Sequence, residues 1–521
     1  MSLNLVTVIL GGSLLLVYFA VNASFLKPRS TRERLRKQGI DGPIPHIFLG
    51  NIPEIKSIQI QEAQSRSLHQ VASPISHHWP FTIFSHLHKW RNQYGPICLY
   101  YGGRIQFLMV QDTELVKEVS CNTSLNLGKP SYLSKDFGPL FGRGILSSSG
   151  PLWAHERKII SPQLYLDKVK GMVDLMVEST NIMLRDWEAR IESSKGGEVV
   201  AEMKIDEDLR SLSADIIARA CFGSNYEKGQ EIFTKLRLIQ KLMSKSPVGV
   251  PGLRYLPTRS NREIWRLEKE VNSMITRLVN QRLKEGDEQD LMQMIMEGAT
   301  KRNEDGGGDL LSNHISRDKF IVDNCKNIFF AGHETTAVTA SWALMLLAEH
   351  QDWQDRCRAE VLQVCGNGTF DATMLRSLKT VTMVIQETLR LYPPATFVIR
   401  TALQDITLGG ISIPKGVNIQ IPIPLLQQDP ELWGPNAHMF NPQIFANGIS
   451  EACKTPHAYL PFGIGSRVCA GQHLAMAELK VVLSLILLRF RFCLSPCYRH
   501  SPAFRLVIEP GEGVILRVSR I

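Results

Sequence analysis

The stretch LPFGIGSRVCAGQHLAMAEL, residues 460–479, decides how the rest of the chain is interpreted, because it sets one cysteine between a glycine-rich turn and an apolar run. Gly463 and Gly465 permit a tight turn whose backbone can approach a large group. The run that follows predicts a helix, so Cys469 lies at or just before a helix N-terminus, where free N–H groups and the helix dipole favour a thiolate. Such a thiolate is a nucleophile, a redox centre or a metal ligand, although most cysteines in a chain like this are buried and inert. His473 is a candidate base one turn on, but the sequence offers no third partner for it.

The composition is that of a globular protein with a large core. The chain has 521 residues, of which 44% are hydrophobic and 21% are charged, and this balance excludes a mostly disordered chain. Its ten cysteines are scattered and form no Cys-x-x-Cys pair. The pattern predicts mostly buried, reduced thiols in a protein that faces a reducing compartment.

Residues 3–26 carry no charge and are followed by the basic run KPRSTRERLRK. A helix needs roughly 20 apolar residues to cross a bilayer, and basic residues beside it stay on the cytosolic side. The pattern therefore predicts an N-terminal transmembrane helix within residues 1–26, with the body of the protein in the cytosol. A cleaved signal peptide is the alternative, but no positive residue precedes the apolar run. Because the basic run supplies much of the net charge of +9, that charge does not indicate a nucleic-acid partner.

The rest of the chain divides into a short hinge and one long body. Residues 27–50 combine the basic collar with a proline-rich segment whose backbone is restricted, and residues 51–521 form the predicted catalytic domain. The hydrophobic patterns in the body predict a hairpin within 81–110, an amphipathic helix over 167–191, a surface loop at 301–312, a long apolar helix from about Lys319 to about His350, and short strands between 406 and 435. The predicted fold class is mainly α with a small β portion.

The predicted long helix contains AGHETT, residues 331–336, which departs from the usual composition of a buried helix. Gly332 costs about 1 kcal/mol relative to alanine, Glu334 is costly to bury without a partner, and a threonine such as Thr335 can bond the carbonyl one turn back. Such departures tend to mark functional sites, here one with room for a flat group and with groups that relay protons. The alternative is a kinked core helix whose glutamate points outward. A zinc protease is excluded because Ala337 stands where HExxH requires its second histidine.

Two further motifs pair residues on one helix face. In QETLRLYPP, Glu387 and Arg390 are three residues apart, which permits an ion pair, although an ordinary surface pair contributes little. In WAHER, Trp153 and Arg157 are four residues apart, so an indole N–H and a guanidinium can together hold an anion such as a carboxylate. The alternative in the second case is an arginine stacked on an aromatic ring. Neither motif is specific by itself.

Taken together, the four motifs resemble those of the cytochrome P450 family. FGIGSRVCAG matches the haem-thiolate signature FxxGxRxCxG, and it is preceded, in the order the family requires, by WxxxR, AGxETT and ExxR. The cysteine signature is highly specific, and with the anchor and hinge the resemblance covers essentially the whole chain. Stretches such as GPLFGRGILSSSGPLWAHERKIISP resemble the microsomal plant clan that acts on isoprenoid hormones, and within it the gibberellin-oxidising group.

The resemblance implies a cytochrome P450 fold around haem b (iron protoporphyrin IX). Cys469 would be the axial ligand of the haem iron. Thr335 would hydrogen-bond dioxygen, Glu334 would help to deliver protons, and Gly332 would let the helix lie close over the haem. The other implied haem contacts are Trp153, Arg157, Arg400, Arg467 and Phe462.

The resemblance also implies that Glu387 and Arg390 form a structural pair that takes no part in the reaction, and the chain departs from the family at this pair. The family usually adds an arginine from FxPERF, but this chain reads FNPQIF, with Gln443 and Ile444 in the expected places of Glu and Arg. Ile444 cannot bond Glu387, so either another cation substitutes or the pair stands alone. We expect weaker haem retention than in an Ile444→Arg variant.

The resemblance predicts an enzyme of the endoplasmic reticulum membrane that inserts one oxygen atom into a small apolar substrate. Electrons would come from NADPH through NADPH-cytochrome P450 reductase, and the substrate would be a gibberellin or a related ent-kaurane diterpenoid. One rival is a reductase-independent P450 isomerase or dehydratase, although such enzymes often lack the acid–threonine pair present here as Glu334 and Thr335. Two more rivals are a P450 that acts on a brassinosteroid or cytokinin and a non-catalytic haem- or sterol-binding membrane protein.

Overall fold

Helices dominate the part of the chain that the computed structural model describes, which comprises residues 27–69, 75–193, 200–223, 226–246, 248–250, 252–285, 290–300, 315–366 and 370–521. In chain order they are α1 (Lys27–Arg36), α2 (Ile52–His69), α3 (Trp79–Ile83), α4 (Ser85–Tyr94), α5 (Thr113–Cys121), α6 (Ser131–Lys135), α7 (Gly138–Phe141), α8 (Gly150–Ile160), α9 (Leu166–Lys170), α10 (Val173–Glu192), α11 (Asp206–Phe222), α12 (Tyr226–Met243), α13 (Arg259–Glu285), α14 (Leu291–Gly298), α15 (Arg317–Glu349), α16 (Gln351–Cys365), α17 (Lys379–Leu391), α18 (Ile423–Gln427), α19 (Pro430–Trp433) and α20 (Gln472–Arg489). Short 3₁₀ segments lie between several of them.

The strands form several small sheets. They are β1 (Ile97–Gly102), β2 (Ile105–Val110), β3 (Leu127–Gly128), β4 (Val200–Lys204), β5 (Phe397–Ala402), β6 (Ile406–Leu408), β7 (Ile411–Ile413), β8 (Asn418–Pro422), β9 (Phe490–Leu494), β10 (Pro502–Arg505), β11 (Val507–Pro510) and β12 (Ile515–Arg520). The largest sheet has the order β1-β2-β8-β5-β3, a second has the order β4-β12-β9, and β6-β7 and β10-β11 are pairs. Only β2 and β8 pair in parallel among the described strands.

The predicted fold class is confirmed, since the described chain is mainly helical with small sheets. The predicted hairpin is β1 and β2, with Ile97 opposite Val110 and Gly102 opposite Ile105. The short strands predicted between 406 and 435 are β6, β7 and β8. In each of these cases, alternating apolar residues bounded by Gly or Pro turns predicted the strands correctly.

One predicted helix is interrupted in the structure, and two other predictions concern residues that the structure does not describe. The helix predicted over 167–191 is interrupted at Gly171 and Met172, so that α9 and α10 are separate; glycine is unfavourable inside a helix and here ends the first one. The predicted loop at 301–312 and the apolar run at 3–26 lie outside the described residues. Among the helices that are described, none combines the length and the apolar character needed to cross a membrane.

The proline-rich hinge lies directly against the largest sheet. The Leu99 N–H on β1 donates to the Asp41 carbonyl at 3.0 Å, and a Cβ at Gly42 would lie 1.9 Å from the Leu99 oxygen. The Arg32 Nη2 atom donates to the Asp41 carboxylate at 3.1 Å and to the Gly42 carbonyl at 2.7 Å. These contacts join the collar to the body instead of leaving it as a free spacer.

The long helix α15 is the central element of the core. It was predicted from about Lys319 to about His350 and spans Arg317–Glu349. The Ser316 hydroxyl caps its start by accepting the Lys319 N–H at 3.4 Å. The helices α11, α17 and α20 pack against it, so α15 carries its AGHETT stretch through the middle of the protein.

Candidate functional site

Cys469 lies on a tight turn that leads into α20, as predicted. Its N–H donates to the Phe462 carbonyl at 2.8 Å, and Gly465 adopts a left-handed φ of 75°. A side chain at Gly465 would place its Cβ 2.1 Å from the Ser120 carbonyl oxygen on α5, so glycine is required where the turn meets that helix. All ten cysteines are free, but only five are buried and Cys469 is exposed, so burial of the thiols is less general than predicted.

The environment of Cys469 does not by itself produce a thiolate. Although Cys469 as a residue is exposed, protein atoms surround its thiol, and this burial raises the pKa of the thiol. The Gly471 N–H and the Arg157 guanidinium act in the opposite direction without reversing the shift. The N-terminus of α20 therefore lowers the pKa of the Cys469 thiol less than the sequence analysis predicted. A metal ion bound to sulfur deprotonates a thiol outright, so Cys469 fits a metal ligand better than a free nucleophile.

The WAHER motif on α8 meets the cysteine turn. The Arg157 Nη1 atom donates to the Val468 carbonyl at 2.7 Å, and the Arg467 guanidinium lies over the Trp153 ring, 4.0 Å from its centroid. Arg467 also donates to the Ser148 carbonyl at 3.4 Å, but its Nη2 atom is buried without a hydrogen-bond partner among the described residues. Two motifs that are about 310 residues apart in the chain thus form one surface.

Arg400 joins this surface from β5, together with Lys129, a cation that the sequence analysis missed. Gly128 of β3 pairs with Thr401 of β5, so the next residue, Lys129, stands beside Arg400 across the sheet. Burial and the positive charges of Arg400 and Arg467 lower the pKa of Lys129 well below its usual range. Only the pairing of two distant strands reveals this neighbour, so no local pattern would have found it. The cation group is defined as Arg157, Arg400, Arg467 and Lys129.

In the part of the chain that the structure describes, no carboxylate forms an ion pair with the cation group. None of its members lies within ion-pair distance of an acid among the residues the structure describes. Burial lowers the pKa of Arg467 to about 9 and that of Arg400 to about 10. The acid on the same helix face is Glu156, but burial raises its pKa to about 8 in spite of hydrogen bonds from Ser148 and Asn324. Glu156 is therefore mainly neutral near neutral pH and supplies no counter-charge.

A narrow part of α15 is accessible although the rest of the helix is buried. From Phe320 to Ala348, every residue except Ala331, Gly332 and Thr335 is buried. Residues at these spacings share one helix face. The Thr335 hydroxyl donates to the Ala331 carbonyl at 2.7 Å, one turn back, as predicted, and the helix continues through this point. These three residues are called the α15 strip.

Gly332 also has a packing role that the sequence did not reveal. A Cβ at this position would lie 2.5 Å from the Ile217 Cδ1 atom on α11. The glycine therefore lets α11 pack closely against α15, which is sufficient reason for its presence. The predicted approach of haem to Gly332 stays a prediction.

Glu334 belongs to a buried ion-pair cluster behind the α15 strip. The Arg237 Nη1 atom lies 2.6 Å from Glu334 Oε1, and the Arg210 Nε atom lies 3.5 Å from it. Both arginines also pair with Glu509 of β11, and His333 lies 3.4 Å from the second carboxylate oxygen. Burial would raise the pKa of Glu334, but the neighbouring cations, Arg210 first, outweigh it and lower the pKa. Glu334 is held as a carboxylate, and its part in proton delivery stays a prediction.

Glu387 and Arg390 form a buried ion pair on α17. Arg390 donates to the Glu387 carboxylate through Nε at 2.6 Å and Nη2 at 2.7 Å, and Glu387 accepts the Asn441 N–H at 2.7 Å. Arg390 also donates to the carbonyls of Gln427, Ala437 and Met439. Backbone groups thus complete the hydrogen bonding of the pair without an arginine at position 444, and no second cation pairs with Glu387 among the described residues.

The cysteine turn, the cation group and the α15 strip fit a haem. The propionates of a haem would balance cations that have no acid of their own, including the unpartnered Arg467 Nη2 atom. Its metal would hold the Cys469 sulfur as a thiolate. The α15 strip offers an accessible wall inside an otherwise buried helix. The fold and this set of donors define the class of thiolate-ligated haem proteins.

Comparisons with known proteins agree with this class and give the family. The sequence profile described as Cytochrome P450 matches residues 67–510. The chain is 51% identical over 499 residues to cytochrome P450 714C2 of Oryza sativa subsp. japonica, covering 94% of this chain and 93% of the relative. It is 46% identical over 496 residues to cytochrome P450 714A2 of Arabidopsis thaliana, with coverage of 94% and 93%. The chain belongs to the cytochrome P450 family and is an oxidoreductase of the monooxygenase type, and the predicted resemblance to plant members is confirmed.

Proposed function

We propose that this protein is a membrane-anchored monooxygenase that oxidises a carboxylated ent-kaurane diterpenoid of the gibberellin type. The observation that carries the proposal is the cation group beside Cys469, which has no acidic partner among the described residues. Haem b, when bound, supplies the activation of dioxygen, with electrons from NADPH through NADPH-cytochrome P450 reductase.

Each part of the site has a separate task in this proposal. Cys469 ligates the haem iron, and the cation group holds the propionates. Thr335 keeps a hydroxyl proton at the α15 strip, where dioxygen and substrate would meet, and Glu334 delivers protons from the ion-pair cluster behind it. Further contacts with the haem come from Trp153, Phe462 and Gly332. Glu387 and Arg390 keep the fold behind the haem in place.

The surplus of positive charge favours an acidic substrate. Haem b carries two propionates, whereas the cation group contains three arginines in addition to Lys129, so positive charge is left over in this partly buried site. A gibberellin carboxylate would balance part of that surplus. Brassinosteroids and cytokinins carry no carboxylate. The surplus therefore favours the gibberellin class over these two classes of hormone.

A product analysis tests the substrate class. Microsomes that contain this protein and a reductase would be incubated with gibberellins, their ent-kaurane precursors, a brassinosteroid and a cytokinin, and products would be identified by mass. We expect an NADPH-dependent product with one added oxygen atom from a carboxylated diterpenoid, and none from microsomes carrying Cys469→Ala. Turnover of the brassinosteroid or cytokinin alone would contradict the proposal.

The role of Lys129 in substrate recognition is testable by comparing an acid with its methyl ester. Binding would be followed by the change in the haem absorption spectrum, in wild type and Lys129→Gln. We expect the variant to bind the acid on the order of tenfold more weakly, since a hydrogen bond to a charged group contributes about 1.5–3 kcal/mol, and to bind the ester unchanged. Equal weakening of both ligands would assign Lys129 to the haem propionates alone.

The Thr335 hydroxyl separates the monooxygenase from its two rivals. In a monooxygenase, Thr335→Ala would divert electrons from product to hydrogen peroxide while NADPH consumption continues. A reductase-independent isomerase would form product without NADPH, and a non-catalytic haem- or sterol-binding protein would be unaffected by the change. The ratio of product to NADPH consumed, measured with the matched variant Thr336→Ala as a control, decides among the three.

We also propose that residues 1–26 anchor the protein in the endoplasmic reticulum membrane, that residues 27–50 are the collar and hinge, and that residues 51–521 form the cytosolic catalytic domain. Support comes from the hinge, which exposes the large apolar side chains Ile44, Ile47, Phe48 and Leu49 beside the basic helix α1. An apolar patch next to basic residues suits a surface of anionic lipid. The test is whether alkaline carbonate leaves the protein in the membrane. A glycan on Asn122 would contradict the cytosolic orientation.

A further inference from the structure

A second group of potential metal ligands lies at the far end of α15, outside the proposed haem site. Glu349 is the last residue of α15, His350 lies between α15 and α16, and His77 comes from the segment just before α3. The Glu349 Oε2 atom lies 3.9 Å from His77 Nε2 and 3.9 Å from His350 Nε2. All three atoms lie within 4.8 Å of one another.

The hydrogen bonds around His77 leave one ring nitrogen directed at Glu349. His77 Nδ1 lies 2.6 Å from the Tyr392 hydroxyl, which in turn lies 3.1 Å from His500 Nε2. If Nδ1–H donates to the tyrosine, Nε2 carries a lone pair, and this arrangement orients many metal-binding histidines.

Glu349 is partly exposed, but one of its carboxylate oxygens is buried. Its Oε2 atom is buried and accepts no hydrogen bond among the described residues, and no lysine or arginine there pairs with it. A separation of 3.9 Å is too long for a hydrogen bond, but it approaches the edge of about 3.4 Å between ligands that bind zinc at about 2.1 Å. The C-terminus of a helix also carries partial negative charge, and the last turn of α15 contains no basic residue.

We propose that His77, Glu349 and His350 bind a divalent transition-metal ion with the preferences of Zn²⁺. Two imidazole nitrogens and one carboxylate are a common zinc ligand set, with water in the fourth position. His350 and Glu349 are partly exposed, which leaves a path for the ion to enter. The ion would tie the segment before α3 to the junction of α15 and α16, a structural role independent of the proposed monooxygenase activity.

The metal content of the purified protein tests this site. The full chain would be purified as holoprotein without a polyhistidine tag, incubated with Zn²⁺, dialysed against metal-free buffer, and analysed for zinc and iron. We expect about one zinc per haem iron in wild type, and loss of that zinc in His350→Gln and Glu349→Gln. His46→Gln removes an exposed histidine of the hinge and should keep the zinc.

Two further outcomes overturn the proposal. Wild type that retains no zinc above the level of His350→Gln contradicts the site, and equal zinc in all four proteins assigns the metal elsewhere. Thermal unfolding of the same holoproteins is a second measurement, which still tests the site if one of the variants folds poorly. Zn²⁺ should raise the unfolding temperature of wild type and His46→Gln but not that of His350→Gln, and a rise in all three contradicts the proposal.

Discussion

The buried Glu387–Arg390 pair and the partly buried cation group are two charged regions that differ in how their charge is balanced. Arg390 has its carboxylate partner and three backbone carbonyls within the chain, and Glu387 also accepts a backbone N–H. The cation group gathers three arginines and Lys129 with no ion-paired acid among the described residues, and one of its guanidinium nitrogens is buried there without a hydrogen-bond partner.

The difference indicates which buried charges serve the fold and which serve a ligand. A buried charge that has its counter-charge in the same chain is tolerated with or without a ligand. An unbalanced buried charge, in contrast, is costly until an anion binds. By this criterion we propose that the ExxR pair is structural and that the cation group is a binding site. Variants of both regions test that division, in order of decreasing expected effect.

Breaking the balanced pair should have the largest effect on folding. Glu387→Gln leaves the Arg390 guanidinium buried without its carboxylate, and loss of one partner of a buried pair costs about 3–5 kcal/mol. We expect a variant that unfolds at a much lower urea concentration and accumulates poorly, measured by urea unfolding of the purified protein. If Glu387→Gln were as stable as wild type, the pair would not have a structural role.

Removing a charge from the cation group should affect the cofactor more than the fold. Arg467→Gln takes away one buried, incompletely partnered cation, so the haem-free chain should be as stable as wild type or more stable. Haem loss to an acceptor protein should become roughly tenfold faster, because a hydrogen bond to a charged group contributes about 1.5–3 kcal/mol. If Arg467→Gln destabilised the haem-free chain and left haem loss unchanged, the two regions would not differ as described.

The neutral state of Glu156 predicts a pH dependence of stability. Its pKa is raised by burial to about 8 in the folded protein, so the unfolded chain releases this proton first and the unfolding free energy falls as pH rises from about 4.5 to about 8. Glu156→Gln should lack that contribution, and the difference in unfolding free energy between the variant and wild type should change by more than about 1 kcal/mol over this range. Urea unfolding at both ends of the range measures it. Parallel pH profiles would mean that Glu156 is ionised and does balance the cation group.

Ile444→Arg should give the smallest change. The structure supplies backbone partners for the pair that this arginine would complete, and Ile444 is only partly buried, where an added ion pair contributes at most about 1 kcal/mol. We expect haem loss to slow by less than about twofold relative to wild type. A large gain in haem retention would show that the backbone contacts do not replace the missing arginine.

Local patterns in the sequence predicted the helix and the turn of the site better than the contacts that their residues make with distant parts of the chain. The run of apolar residues predicted both ends of α15 to within two residues, and the glycines around Cys469 predicted its turn. Lys129 was missed because its neighbour Arg400 is reached only through the pairing of β3 with β5. The arginine partners of Glu334 come from two other helices, α11 and α12, so periodicity within α15 could not predict them.

The carbonyl spectrum of the reduced protein tests the central claim, that Cys469 is the ligand at an otherwise unbalanced positive site. Full-length wild type, reduced under carbon monoxide, should show the red-shifted Soret band that a thiolate ligand gives. Cys469→Ala should lose that band and most of its haem, with the Glu387–Arg390 region still folded. An unaltered red-shifted band in the alanine variant would contradict the account.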